Sequence, residues 1–320
     1  MKTAIRIALV AAAALAGSGP ARAQNPSPPP APTPLARGAT PAPDLAFGAY
    51  QRGFFITAFR EAMKRVAANP KDAAAMTLIG EIYREGYAVR PDQAEAARWY
   101  RLASDLGDRE AAFALGALLL NGATGVEKDR AAAKAQFERA AAKGEAEALY
   151  NLGVMAIGGE GAGKPDFAKA ADYFRHSADA GDEDGAYSYG VLLREGRGVP
   201  LDIGASAQWL KRAADAGIIA GQVEYAIMLF NGVGVEKNEA AAAKLFLLAA
   251  ARNNPIAQNR LAHLYVTGRG VPRDLVEAAT WNRFAKAAGI DDPELDAATA
   301  NLTPEQNERV NQLLRRQAMF

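Results

Sequence analysis

Three ladders of residues run through this chain at one period, and that period limits the fold more than any other feature of the sequence. A small residue inside an apolar helical pattern recurs at Gly80, Gly116, Gly153, Gly190, Ala226 and Ala262, 36 or 37 residues apart. A loop acid or amide follows with the same spacing at Asp92, Asp129, Asp166, Asp202, Asn238 and Asp274. A third ladder closes each unit at Gly107, Gly144, Gly181, Gly217, Asn253 and Gly289. Length alone would allow 320 residues to form two globular domains. The ladders instead predict one array of six units, each of which buries its apolar face against its neighbours.

Each unit reads as two helices. In the fourth, Asp184 to Glu195 and Ala205 to Ala214 carry apolar residues three and four apart, with Gly196-Arg-Gly198-Val-Pro-Leu-Asp202 between them. Glycine ends each half, as a left-handed cap would. Asp202 stands just before the second helix, where a carboxylate accepts hydrogen bonds from free backbone amides and meets the positive end of the dipole. The ladder of acids therefore reads as helix caps and not as catalytic groups.

With these residues in view, the chain resembles the Sel1-like repeat family, relatives of the tetratricopeptide repeats. The likeness rests on Ala148-Leu-Tyr-Asn-Leu-Gly153, on Gly268-Arg-Gly-Val-Pro-Arg-Asp274, and on Trp99-Tyr100, Tyr173-Phe174 and Trp281 in the second helices. It covers residues 46 to 289. Repeats two and three depart by one extra loop residue, and repeat five by Ala226, Asn238 and Leu245. The resemblance implies an all-α, right-handed α-solenoid of helix-turn-helix repeats at 72–107, 108–144, 145–181, 182–217, 218–253 and 254–289. A solenoid needs closed ends. Residues 45–71 are expected to supply an N-terminal capping helix, with Phe55, Phe59, Met63 and Val66 at helical spacing. Residues 290–320 are expected to supply C-terminal capping helices. There Thr303-Pro304-Glu305-Gln306 is a helix start and Val310, Leu313 and Leu314 face the last repeat.

Ahead of the array, Lys2 and Arg6 precede the apolar run Ile7 to Ala16, and Ala21-Arg22-Ala23 follows. That order is the one found in a secretory signal, so residues 1–23 read as a signal peptide cleaved near Ala23, giving a periplasmic or secreted protein. The apolar run is shorter than the roughly 20 residues a membrane anchor needs. With no cysteine to acylate, no direct membrane anchor is expected. Residues 24–44 contain eight prolines and read as an extended, disordered linker.

Composition narrows the chemistry. The absence of cysteine removes disulfides, thiolate metal sites and thiol nucleophiles together. Two histidines, His176 and His263, leave little imidazole chemistry. A net charge of +1 gives no general attraction to nucleic acid. Gly158-Gly-Glu-Gly-Ala-Gly163-Lys164 has the spacing of a phosphate-binding loop, but Pro165 stands where Ser or Thr would hold magnesium, and the loop follows a helix. It reads as the third copy of the repeat loop. No G-x-S-x-G, H-E-x-x-H, S-x-x-K or K-T-G motif occurs. No catalytic, metal or cofactor residue is assigned.

A partner surface is expected on the first helices. With each small residue as position zero and about 100° per residue, the repeating apolar positions account for the packed sides. Positions −2, +1 and +5 remain between about 100° and 160°, and their residue types do not repeat. They select Asn151, Val154, Ser188, Val191, Glu195, Glu224, Ile227, Asn231, Arg260 and His263 as candidate partner-binding residues. Val154, Val191 and Ile227 would form an apolar stripe with polar walls, suited to a protein or peptide partner. The alternative is that these three side chains fill space between adjacent first helices. The family resemblance implies a non-catalytic scaffold or adaptor, with an envelope protein as partner in signalling or in polysaccharide or cell-wall assembly. The alternatives are an enzyme of the β-lactamase-like or peptidoglycan-acting class and a periplasmic chaperone.

Overall fold

The computed structural model describes residues 44–159 and 163–317. The expected signal peptide, the proline-rich segment as far as residue 43 and the middle of the glycine-rich loop lie outside the described residues. Among the described residues there are sixteen α-helices and no strand. They form two compact units, one ending at Pro165 and the other beginning at Asp166.

The first unit holds α1 (Leu45–Gln51), α2 (Phe55–Ala68), α3 (Ala73–Glu85), α4 (Gln93–Asp105), α5 (Arg109–Asn121), α6 (Arg130–Ala141) and α7 (Ala146–Ile157). The second holds α8 (Phe167–Asp179), α9 (Glu183–Glu195), α10 (Ile203–Asp215), α11 (Ile219–Asn231), α12 (Glu239–Ala251), α13 (Pro255–Thr267), α14 (Leu275–Ala287), α15 (Pro293–Ala298) and α16 (Pro304–Gln317). From α1 to α7 and from α8 to α14, helices adjacent in sequence pack side by side, which is the all-α tandem arrangement the ladders predict, while α15 and α16 both pack on α14.

Each ladder has a separate physical cause. The acids and amides are N-caps: Asp92, Asp129, Asp166, Asp202, Asn238 and Asp274 accept from amides two or three residues on, at 2.8–3.1 Å. The closing glycines have φ between 79° and 98°, and Asn253 at 63° is the one positive-φ residue other than glycine among the described residues. That conformation completes a Schellman turn. In the first repeat Asp108 N donates to Ala103 O at 3.0 Å and Gly107 N to Ser104 O at 2.8 Å, which satisfies two carbonyls the helix end would otherwise leave free.

The small residues mark where the two helices of a repeat approach each other. A Cβ on Gly80 would lie 2.7 Å from two Tyr100 ring atoms, and one on Gly116 would lie 2.9 Å from two atoms of the Phe137 ring. Tyr100, Phe137, Phe174, Leu210 and Phe246 share one repeat register and are fully buried. Each such side chain contributes about 1.5–3 kcal/mol of apolar burial. In the sixth repeat the register holds Asn282 instead, also buried, and its Nδ2 donates to Asp296 Oδ1 at 2.8 Å.

Neighbouring repeats interlock through the loop between their helices. In the second unit Gly198, at φ 75°, seats its backbone against Phe167, and Arg197 lies 3.8 Å over the Phe167 ring. Gly270 approaches Glu239 in the same way, and Arg269 covers the ring of Phe230 at 4.1 Å. In the first unit Gly125 seats against Ala94. Cations reinforce the stacking, since Lys143 Nζ donates to Gly107 O at 2.8 Å and Arg252 Nη1 to Gly217 O at 2.6 Å.

The N-terminal segment differs from the single capping helix expected there. Gly53, at φ 79°, ends α1 in another Schellman turn, with Phe54 N donating to Ala49 O at 2.9 Å, and α2 then starts afresh. Both helices contribute to one core with α3, in which Ala46, Ala49, Tyr50, Ala58 and Ala62 are buried and Phe55, Phe59 and Val66 pack against them. Met63 is exposed, unlike the other three residues of its expected stripe. At the C-terminus a reciprocal capping box opens α16: Thr303 N donates to Gln306 Oε1 at 2.9 Å and Gln306 N to Thr303 Oγ1 at 3.2 Å. Val310 is buried on Val276 and Ala279 of α14, with Leu313 and Leu314 beside it.

Candidate functional site

The first helices carry the ten residues selected from the sequence, and the structure sorts them by burial. In the first unit Asn151 is buried on α7 and donates its Nδ2 to Glu147 O at 2.7 Å, while Val154 is half-buried. In the second unit Ser188 is buried, and Val191, 8% exposed, belongs to a cluster with Ala207, Leu210 and Met228. Ile227 is half-buried against the cluster formed by repeats five and six. Asn151, Ser188 and Val191 are thus packing residues. Val191 faces both its own second helix and the next first helix, so this part of the expected stripe is interior.

Other polar positions lie outside the packing. Glu195, Asn231 and Thr267 occupy position +5 of three successive first helices, α9, α11 and α13, and all three are exposed, as is Arg260 at position −2 of α13. Glu224 is half-buried and forms an ion pair with Arg194 of the preceding repeat. Burial, with the nearby Glu224 charge, pushes the Tyr187 phenol up to about 12. In the first unit, position +4 of α3 also holds an arginine. Arg84 reaches Glu81 at 2.6 Å and Glu85 at 2.8 Å, and Tyr100 donates its hydroxyl to Glu81 at 2.9 Å. Burial opposes the Arg84 charge, but Tyr100, Glu81 and Glu85 outweigh it and hold its pKa above the usual value.

His263 has a fixed partner. Its Nε2 lies 2.8 Å from Asp292 Oδ2, which also accepts from Asn259 Nδ2 at 2.8 Å, while Asp292 Oδ1 caps α15 through the Leu295 amide at 3.1 Å. Burial alone would raise the Asp292 pKa. The hydrogen bonds from Asn259, Leu295 and His263 outweigh it and bring the carboxyl down to about 2. His263 is therefore a tie between α13 and α15, with its ring still part-exposed at 29%.

Position +4 was missed in the sequence because it falls on the packed side of the helix, where other repeats carry Leu120, Ile157, Phe230 and Val266. The signal for it was the substitution of arginine at 84 and 194 within an otherwise apolar ladder. Among the described residues no group of three His, Asp or Glu side chains converges as a metal site requires. The side chains of these faces can form hydrogen bonds and ion pairs with a partner.

Six consecutive segments, residues 73–108, 109–145, 146–182, 184–218, 219–254 and 255–289, match the Sel1 repeat. The chain belongs to the Sel1 repeat family. Among solved structures it is similar to a Sel1 repeat protein from Oxalobacter formigenes, with a TM-score of 0.66 and 24% identity over 78% of this chain and 100% of that one. It is also similar to c5321, a protective antigen of uropathogenic Escherichia coli strains displaying an SLR fold. That match has a TM-score of 0.54 and 24% identity over 85% of this chain and 67% of the other. A comparison with curated proteins gave no match. Sel1 repeats are generally protein–protein interaction modules, and Sel1-repeat proteins are generally non-catalytic scaffolds. No helix among the described residues is long and apolar enough to cross a membrane.

Proposed function

We propose that this Sel1 repeat protein is an exported, non-catalytic adaptor that holds a protein or peptide partner of the bacterial envelope, in signalling or in polysaccharide or cell-wall assembly. The export reading is supported by the order of charged, apolar and small residues before Gln24. The binding reading is carried by one observation in the second unit. Successive first helices keep Glu195, Asn231 and Thr267 at one repeat position and leave all three exposed. Packing explains the recurring residues of a repeat; it does not account for a row whose chemistry changes at each step. Arg260, His263, Glu224 and the half-buried Ile227 extend that face with both charge signs and some apolar area. Val154 on α7 would add to the surface within the first unit.

The test is a triple variant, Glu195→Arg with Asn231→Arg and Arg260→Glu, all at exposed positions whose change leaves the core intact. Purified protein is expected to capture a defined envelope partner that the variant loses, with unchanged helical circular dichroism and melting. Equal capture by both proteins would place binding elsewhere. Fractionation tests export separately: the reading requires a shortened chain in the periplasm or medium, and a full-length chain confined to the cytoplasm overturns it.

A further inference from the structure

A groove between a second helix and the loop of the next repeat occurs in each unit, and in the first unit it has two features of its own. There α4 faces the loop between α5 and α6, and the space between them is a cavity of about 520 Å³. The corresponding groove between α12 and the loop before α14 is about 180 Å³ and is lined by Leu247, Tyr265, Val271 and Pro272. The loop of repeat two carries one extra residue. That loop turns back on itself, with Ala123 and Val126 exchanging two hydrogen bonds of 2.9 Å. Ala94 and Ala97 form a small-residue floor that leaves the space open.

The second feature is charge. Arg98, Arg101, Lys128 and Arg130 line the groove against Glu127 and Asp129. Asp129 is already engaged as the cap of α6, accepting from Ala132 N at 2.8 Å. Arg130 is held in place by donating to Met155 O at 3.0 Å and Gly159 O at 3.1 Å. Arg98 pairs with Glu95 at 3.0 Å on an exposed surface, a contact of little energy. Arg101, from α4, and Lys128, from the loop, have no partner among the described residues.

The same register in the second unit shows what these positions ordinarily do. Arg175 and Lys211, the counterparts of Arg101, pair with Asp172 at 3.1 Å and Asp215 at 2.6 Å. Lys237, a counterpart of Lys128, pairs with Glu239 at 2.9 Å, and Arg273 donates to Val266 O at 3.0 Å. Cations at these sites are elsewhere satisfied by the protein itself. In the first-unit groove, two of them are left open among the described residues.

We infer that the groove formed by Arg98, Arg101, Lys128 and Arg130 binds a compact, multiply charged phosphate compound. A guanidinium supplies a planar fork and an ammonium a point charge, the pairing that phosphate oxygens accept best. The volume lies within the range of about 300–1,000 Å³ usual for small-molecule sites. The walls offer little apolar surface, so a ligand with a large hydrophobic body is not favoured.

Inorganic pyrophosphate is the probe, titrated calorimetrically into the purified full chain, with citrate and a hexaglutamate peptide as separate arms. The wild-type chain is expected to bind pyrophosphate. Arg101→Ala and Lys128→Ala should each weaken binding about tenfold, one charge-assisted contact apiece, and the double variant should abolish it. Lys211→Ala, at the counterpart site, should leave binding unchanged, and melting curves of all variants should superimpose. Absence of pyrophosphate binding to the wild type, or equal binding by the double variant, overturns the inference. So does tighter binding of citrate or hexaglutamate, which would make the groove a carboxylate site.

Discussion

Two glycines in one loop, Gly196 and Gly198, both have positive φ, yet their replacement by alanine should have very different costs. At Gly196 φ is 64° and an added Cβ would find Leu201 Cβ at 3.3 Å, a tight but yielding neighbour. The cost is then mainly that of a left-handed alanine, about 1–2 kcal/mol, reduced by the lower entropy of the unfolded chain. At Gly198 φ is 75°, and the same Cβ would lie 2.1 Å from the Phe167 carbonyl carbon, 2.2 Å from its oxygen and 2.5 Å from Ala168 N. Backbone atoms cannot turn aside as a side chain can. The loop must lift by roughly 1 Å, adding the 1–3 kcal/mol typical of overpacking. It must also give up the Arg197 contact with the Phe167 ring, worth about 0.5–1 kcal/mol.

Gly198→Ala should therefore destabilise the protein by about 3–5 kcal/mol, and Gly196→Ala by about 1 kcal/mol. Gly181→Ala is the control for backbone strain alone, since φ is 98° and nothing lies within 4 Å of the added atom. Urea unfolding followed by circular dichroism at 222 nm measures all three, provided the slope is unchanged. If Gly198→Ala falls within about 0.5 kcal/mol of Gly181→Ala, the close approach of loop to helix is not what fixes that glycine.

Two further outcomes follow from the C-terminal helices. Asp292 has its pKa brought down to about 2 from an ordinary 3.8. A lowered carboxyl pKa stabilises above the unfolded value and loses that contribution as pH falls from about 4 to about 2, so Asp292→Asn should flatten this part of the melting-temperature profile; an unchanged acid limb would refute the role. Thr303→Ala removes one half of the capping box and should cost about 1 kcal/mol, read as faster hydrogen exchange in the first turn of α16, whereas unchanged exchange would show that Pro304 alone sets the helix start.

The repeat was legible because each ladder has a local cause. A cap at Asp202, a left-handed turn at Gly217 and a close crossing at Gly190 each demand a residue type at a fixed place, whatever surrounds them. The N-terminal break was harder to see. Phe55 and Phe59 share one core with Ala46 and Ala49, so the apolar period runs across Gly53 and hides the turn. The burial of Val191 was not legible, because an angular reading of a single helix contains no neighbours. Leu210 and Met228, which cover that side chain, lie 19 and 37 residues further along the chain. The open cations of the first-unit groove lay beyond the sequence for a related reason. Arg101 and Lys128 are 27 residues apart, and Arg175 and Lys211 carry the same charge but are paired.

The two connections of each repeat differ in tolerance, and this has a consequence for engineering. The turn after a second helix is closed by paired backbone hydrogen bonds around one left-handed residue, so an inserted residue would destroy it. The connection between the two helices absorbs an extra residue in repeat two by folding it into a small bridge at Ala123 and Val126. New peptide should therefore be grafted into this connection and not into the turn after a second helix, with Gly125 kept because it seats against Ala94 of the preceding repeat.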